Sequence, residues 1–150
     1  RAGTENVPGI VGMAAAARRA HEHMEERAQK ERMLRDYLIG RIEAEIPDVA
    51  LNGHRIRRLP NNVNFSFAGM EGETMLIMLD MAQICASAGS ACTSGAVDPS
   101  HVLLAMGLSK ERARGSLRLT LSEENTREEL DTVVEELARI VARVRGMMVR

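Results

Sequence analysis

The chain of 150 residues carries a net charge of −1 and is 45% hydrophobic, as expected for one globular domain. Balanced charge and only 2% aromatic residues argue against a nucleic-acid-binding domain, which needs a basic surplus and stacking side chains. No apolar run reaches the roughly 20 residues that span a bilayer. Because two cysteines do not form a disulfide framework, we expect a cytoplasmic protein with reduced thiols.

The N-terminal part of the chain predicts a loop followed by a long helix. Glycine and proline residues indicate a loop over residues 1–8. Apolar residues then recur every three or four positions over residues 10–46, which predicts a helix roughly 55 Å long that bends near Glu31 or runs along a larger body. Pro47 ends it. Since the chain begins within a loop and without methionine, we expect a segment of a longer protein.

The middle of the chain predicts a small sheet. Residues 49–51 form a short strand candidate, and residues 62–67 alternate apolar and polar side chains as a half-buried strand does. Residues 73–81 predict a short, largely buried helix. Residues 84–86 are a candidate third strand.

The next segment, residues 87–97, contains almost only small residues and is predicted to be a mobile loop. Asp98 and Pro99 have the residue types of an N-cap and a first helical position, so we expect a helix from there to Met106. Ser109 predicts the cap of another short turn.

The C-terminal part predicts a strand and an amphipathic helix. Residues 116–121 alternate strictly, with leucines on one face and Ser116, Arg118 and Thr120 on the other. Residues 126–129 match a capping box, and the helix that follows is expected to end at Gly146. The predicted fold class is therefore α/β (α+β): a small sheet covered by helices, with a long N-terminal helix.

Cys92 is the first candidate for chemistry. A functional thiol must be reachable by a substrate, and the small residues around Cys92 suit that requirement. The alternative is a loop thiol without a role. Cys85 lies beside Ile84 in a strand-like segment and is interpreted as a core residue. The spacing of the two cysteines matches no zinc site, so no metal is expected.

Arg118 is the second candidate, because a guanidinium on the polar face of a leucine-backed strand suits a carboxylate. Its alternative is a surface ion pair. Thr4, beside Gly3, is a weaker candidate for donating a hydrogen bond to a phosphate. These residues indicate thiol chemistry on an amino acid or a carboxylic acid. They supply neither a catalytic base nor a cofactor.

Several motifs resemble one family. The chain is similar to the C-terminal segment of cysteine desulfurases of the NifS/IscS type, which are class V, fold-type I pyridoxal-phosphate (PLP) enzymes. The segments that carry the resemblance are 1–6, 10–12, 60–66, 71–73, 87–95, 99–107 and 116–121.

The resemblance implies a role for each candidate. Cys92 corresponds to the nucleophile that takes sulfur from L-cysteine as a persulfide and leaves alanine. Arg118 corresponds to the arginine that holds the substrate carboxylate. Thr4 corresponds to the threonine that reaches the PLP phosphate across a homodimer interface. The family's Schiff-base lysine has no counterpart, because Lys30 and Lys110 lack its sequence context.

The resemblance also implies an organisation and partners. Residues 1–150 form one domain of a larger enzyme: residues 1–46 are a loop and a bridging helix, and residues 47–150 are a small α/β domain carrying the cysteine loop 87–97. The intact enzyme supplies sulfur to an acceptor or iron–sulfur scaffold protein, and this chain alone is inactive. Two alternatives are a PLP-independent sulfur-carrier or docking module and a structural dimerisation domain in which Cys92 has no role.

Overall fold

The computed structural model describes residues 2–89 and 99–148, and the chain order of its elements begins with two helices. Helix α1 spans Val7–Glu22 and α2 spans Met24–Glu45. Asn6 caps α1, because its side-chain oxygen accepts the backbone N–H of Gly9 at 3.1 Å.

Two expectations for this region are wrong. Pro8 does not belong to a loop but occupies the first turn of α1, where its missing N–H costs no helical hydrogen bond. The long helical pattern breaks at His23 rather than near Glu31, which lies within α2. The helix does end before Pro47, as predicted, with Ile46 extended at its C-cap.

The sheet has three antiparallel strands in the order β1-β2-β3. Strand β1 spans Val49–Leu51, β2 spans Asn62–Phe67 and β3 spans Ser116–Thr120. All three strands were predicted: period-two alternation marks β2 and β3, and β1 was a short candidate before the turn at Asn52 and Gly53.

Three short helices lie between β2 and β3. Helix α3 spans Gly72–Met81, α4 spans His101–Ala105 and α5 spans Lys110–Arg114. The N-cap of α4 is Ser100, so the expected first helical position at Pro99 is wrong. The N-cap expected at Asp98 lies outside the described residues. Ser109 caps α5 as predicted, since its hydroxyl accepts the backbone N–H of Arg112 at 3.2 Å.

The hydrophobic core lies on one face of the sheet, where α2 and α3 contact the strands and α6 packs against both helices. Helix α6 spans Arg127–Met148 and runs through Gly146, where the sequence predicted its end. Every second residue of β2 and β3 points into this core, so the opposite face is polar. The largest fully buried side chains are Phe65, Phe67, Leu38, Ile39, Ile42, Ile46, Met75, Leu79, Leu117, Leu137, Ile140 and Val63.

Helix α1 differs from the others because none of its residues is buried. Within residues 2–89 and 99–148, no helix has the length and apolarity needed to cross a membrane. The same described residues contain no cluster of three or more His, Cys, Asp or Glu side chains suited to a metal ion.

The capping box of α6 is present. The Glu129 N–H donates to the Thr126 hydroxyl at 3.2 Å, and the Thr126 N–H donates to the Glu129 carboxylate at 3.1 Å. The Asn125 amide donates to the same carboxylate oxygen at 3.0 Å. Hydrogen bonds from Asn125 and Thr126 hold the pKa of the Glu129 carboxyl below its ordinary value of 4.5.

This pKa shift makes the start of α6 sensitive to acid. A carboxyl whose folded pKa is lowered stabilises the fold above its unfolded pKa and loses that contribution as the pH falls through its folded pKa. We expect Glu129→Gln to lower the melting temperature near pH 7, and the difference from the wild type to shrink below about pH 4.5. Thermal unfolding followed by circular dichroism checks this, with the exposed first-turn substitution Glu128→Gln as the control. A difference for Glu129→Gln that does not change with pH contradicts it.

Candidate functional site

Arg118 lies in the middle of β3 and points away from the core. Its neighbours Leu117 and Leu119 are buried, whereas Arg118 and Thr120 are exposed, as the alternation predicts. Ser116 departs from the prediction of an exposed polar face, because it is 3% exposed. Helix α5 contacts β2, and the burial of Ser66 on the same face indicates that this end of the polar face is covered.

The outer edge of β3 pairs with Ser87 through a single antiparallel bridge. The Arg118 N–H donates to the Ser87 carbonyl at 2.6 Å, and the Ser87 N–H donates to the Arg118 carbonyl at 3.0 Å. The segment that leads toward Cys92 is therefore hydrogen-bonded to β3 at the residue that carries the guanidinium.

The predicted third strand at residues 84–86 is wrong. The Ile84 N–H donates to the Leu79 carbonyl at 2.9 Å, so the chain is still closing the C-terminal end of α3 at this point. Gln83 has a φ of 60°, a left-handed conformation that turns the chain there. Among the described residues of this segment, only Ser87 pairs with the edge of β3.

Close packing fixes the residue that follows Ser87. A Cβ on Gly72, the first residue of α3, would lie 2.8 Å from the Ala88 Cβ and 2.8 Å from the Ser116 carbonyl oxygen. Such distances are below van der Waals contact, so this position requires glycine. The start of α3, Ala88 and the start of β3 therefore form one tightly packed unit.

The Arg118 side chain is exposed. No Asp or Glu carboxylate among residues 2–89 and 99–148 lies within ion-pair distance of it. The surface ion pair considered as its alternative role is absent from these residues. An exposed, charged fork with five donors suits a carboxylate, which accepts two parallel hydrogen bonds.

Cys92 and the small residues around it lie outside the described residues. Their predicted loop and the role of the thiol stay predictions. The interpretation of Cys85 as a core residue is wrong, since its side chain is exposed and free. It lies between Ile84 and Ala86, which pack against the core, and its own side chain faces away from it.

Thr4 is exposed and lies just before α1. Within the described part of the chain, no hydrogen bond joins Thr4 to Arg118. The structure places Thr4 before a helix that has no buried residue, and the role expected of Thr4 stays a prediction.

A polar cluster beside Arg118 was not predicted as a site. Asn64 on β2 is directly opposite Arg118 on β3. The Asn52 amide donates to the Asn64 side-chain oxygen at 2.7 Å and to the Ser66 hydroxyl at 2.9 Å. The alternation of residues 62–67 indicated a polar face, but only the strand register brings Asn64 to Arg118.

Both lysines are exposed, Lys30 on α2 and Lys110 at the first position of α5. A lysine that forms a Schiff base must present a neutral amine, which burial of the side chain favours. Neither residue is buried, so neither is a candidate for the covalent attachment of PLP.

A family model described as "Aminotransferase class-V" matches residues 1–133. A cysteine desulfurase IscS from Clostridium botulinum is 55% identical over 149 residues, which are 98% of this chain and 38% of that protein. A cysteine desulfurase from a Nostoc species is 48% identical over 147 residues, 98% of this chain and 37% of that protein. The chain thus spans less than two fifths of the length of these curated relatives.

A solved structure also matches the fold of this chain. The X-ray structure of a NifS-like protein from Rickettsia africae matches with a TM-score of 0.81 and 30% identity, over 93% of this chain and 36% of that one. The expected small sheet covered by helices is confirmed by this match and by the strand order. The single long N-terminal helix that was expected is two helices, α1 and α2.

Proposed function

Because the chain belongs to the class-V aminotransferase family, we propose that it is the C-terminal part of a PLP-dependent cysteine desulfurase. The intact enzyme converts L-cysteine to L-alanine and a persulfide on Cys92. The relatives named cysteine desulfurase, of which this chain spans 38% or less, support this assignment.

One observation carries the proposal: the backbone of Arg118 is paired with Ser87, at the start of the segment that contains Cys92. The pairing ties a carboxylate-binding group to the segment that carries a thiol. An enzyme that transfers sulfur from an amino acid needs both groups near one substrate molecule. The absence of an ion pair to Arg118 among the described residues agrees with a binding role.

In the proposed reaction, Arg118 holds the carboxylate of L-cysteine and Cys92 supplies a thiolate. The thiolate attacks the substrate sulfur, an S–S bond forms as the Cβ–S bond breaks, and the carbon takes a proton to give alanine. The transferred sulfur is left as a persulfide on Cys92, so no external oxidant is needed. PLP, when bound, supplies the electron sink that this bond cleavage requires.

The rest of the protein completes the proposed site. Thr4 donates to the PLP phosphate across a homodimer interface, and the lysine that binds PLP lies outside this chain. Residues 1–46 bridge to the missing part of the enzyme, and residues 47–150 form the small domain that carries residues 87–97. The exposed apolar residues of α1 agree with such a bridge: Val7, Ile10, Val11 and Met13. The proposed cytoplasmic enzyme passes its sulfur to an acceptor or iron–sulfur scaffold protein.

The test uses the full-length protein with PLP. On incubation with L-cysteine and a thiol reductant, we expect equal amounts of alanine and sulfide, measured by amino-acid analysis and a colorimetric sulfide assay. L-Serine, which lacks the sulfur, serves as the control. Formation of sulfide without alanine would reject the proposed reaction.

The role of Arg118 is tested by Arg118→Ala. Loss of a charged hydrogen bond costs about 1.5–3 kcal/mol, so we expect the KM for L-cysteine to rise by roughly 10- to 150-fold. Arg118→Lys keeps the positive charge but not the forked donor geometry, so its KM should lie between those of the wild type and Arg118→Ala. Thr120→Ala, an exposed change two residues along β3, is the matched control and should leave KM unchanged. An unchanged KM in Arg118→Ala counts against the carboxylate assignment.

A further inference from the structure

We propose that Asn64 is a second binding residue for the substrate carboxylate, and that Asn52 and Ser66 orient its amide toward Arg118. This inference rests on the proposed function, because it assigns another residue to the carboxylate site of Arg118. It is based on the register of the sheet and on the hydrogen bonds of a buried polar cluster.

Four residues form a row across the polar face of the sheet. Asn64 lies opposite Arg118 in the register of β2 and β3, and Arg118 lies opposite Ser87. On the other side, the Asn52 N–H donates to the Asn64 carbonyl at 2.8 Å. Residues directly opposite one another on antiparallel strands have Cβ atoms roughly 5 Å apart on the same face. The Asn64 and Arg118 side chains therefore project side by side.

The Asn64–Arg118 pair belongs to the closer of the two antiparallel pair types. The Phe67 N–H donates to the Gly115 carbonyl, and the Leu121 N–H donates to the Asn61 carbonyl. Since hydrogen-bonded pairs alternate with non-hydrogen-bonded pairs, Asn64 and Arg118 form a non-hydrogen-bonded pair, in which the side chains approach most closely. A single carboxylate can contact both.

The hydrogen bonds of the cluster set the direction of the Asn64 amide. Its oxygen accepts from the Asn52 amide at 2.7 Å, and Asn52 is itself fixed by the Ser66 hydroxyl at 2.9 Å. Asn52 is 6% exposed and Ser66 is 3% exposed, so this support is shielded from water. With its oxygen occupied, Asn64 has two amide N–H donors left for an acceptor beside the guanidinium.

Two kinds of donor then face one anion. A carboxylate has about four lone-pair positions, so a guanidinium fork leaves acceptor capacity that a neighbouring amide satisfies. Asn64 is half-buried, which reduces the competition from water for its donors. The uncharged amide adds a hydrogen bond without attracting a second anion.

Asn64→Asp in the full-length, PLP-loaded enzyme tests the proposal. Aspartate keeps the oxygen that accepts from Asn52, but replaces the outward amide donors with a negatively charged oxygen. We expect the KM for L-cysteine to rise by about 10- to 100-fold, with kcat changed much less, because a charged hydrogen bond is lost and a like charge is placed beside the carboxylate. Calorimetric titration with L-alanine should show the same loss of affinity.

Asn62→Asp is the matched control, since Asn62 lies two residues away on β2 and pairs with Thr120. It adds the same charge to the same face without facing Arg118, and should change KM by less than about threefold. Equal effects of the two aspartates, or an unchanged KM in Asn64→Asp, overturn the proposal. If Asn64→Asp lowers the melting temperature, Asn64→Ala decides: it must raise KM, and an unchanged KM overturns the proposal.

Arg118→Ala distinguishes a failure of the role of Asn64 from a failure of the proposed carboxylate site. If it raises KM while Asn64→Asp does not, only the role of Asn64 fails. If neither changes KM, the carboxylate site of the proposed function fails with it. In the double variant Arg118→Ala/Asn64→Ala, we expect the two effects on KM to be non-additive, because both residues contact one group.

Discussion

Replacement of Cys92 by serine is expected to abolish the release of sulfur from L-cysteine while leaving PLP bound to the full-length enzyme. A serine hydroxyl is not ionised near neutral pH, so it does not replace a thiolate as the attacking group. We expect a loss of rate of at least about 10³-fold, as is usual for removal of a nucleophile. Sulfide release and the absorbance of the bound cofactor are the two measurements.

Cys85→Ser is the matched control for this experiment. Cys85 is the other cysteine of the chain, and its side chain is exposed, so a general effect of removing a surface thiol would appear in both variants. We expect Cys85→Ser to retain wild-type sulfide release. A Cys92→Ser enzyme that still releases sulfide, or that loses the cofactor absorbance, would contradict the role given to Cys92.

Gly115→Ala is expected to destabilise the protein by about 3 kcal/mol, at the upper end of the usual cost of overpacking. A Cβ at this position would lie 2.6 Å from the Phe67 carbonyl oxygen and 2.8 Å from that of Met70. Both atoms belong to the backbone, and the Gly115 carbonyl accepts the Phe67 N–H at 2.8 Å. Relief of the clash therefore requires the ends of β2 and β3 to separate.

The backbone conformation of Gly115 makes this a test of packing alone. Its φ of −79° is one that alanine adopts without strain. Gly40→Ala is the control, because Gly40 lies within α2 with nothing within 4 Å of its Cβ position, and alanine should stabilise that helix by about 0.5–1 kcal/mol. Chemical denaturation measures both variants. If Gly115→Ala and Gly40→Ala had equal free energies of unfolding, the contact between β2 and Gly115 would be looser than described.

The sequence was a good guide where the signals are local. Alternation predicted β2 and β3, and the Thr126–Glu129 capping box marked the start of α6, because both patterns are contained within a few residues. The start of α1 was missed although its signal was present: Asn6 is an N-cap residue and Pro8 suits a first turn. The glycine and proline residues around the cap also favour a loop, and that signal competes with the cap.

The site was less predictable because it depends on contacts between distant segments. Arg118 was recognised from its position on a leucine-backed strand, but its pairing with Asn64 and with Ser87 follows from the register of the sheet. No local pattern contains that register. The exposure of Cys85 was also missed, since its direction is set by the turn that closes α3 rather than by its apolar neighbours.

The Ser87–Arg118 bridge limits the distance that the Cys92 thiol can move from the sheet. Cys92 is five residues beyond Ser87, and a fully extended chain advances at most about 3.5 Å per residue. Whatever path the intervening residues take, the Cys92 backbone stays within about 17 Å of Ser87 while the bridge is intact. In the proposed function, an acceptor protein must bring its own sulfur-accepting atom close to this sphere. One pair of backbone hydrogen bonds thus limits how far the thiol can reach toward such a partner.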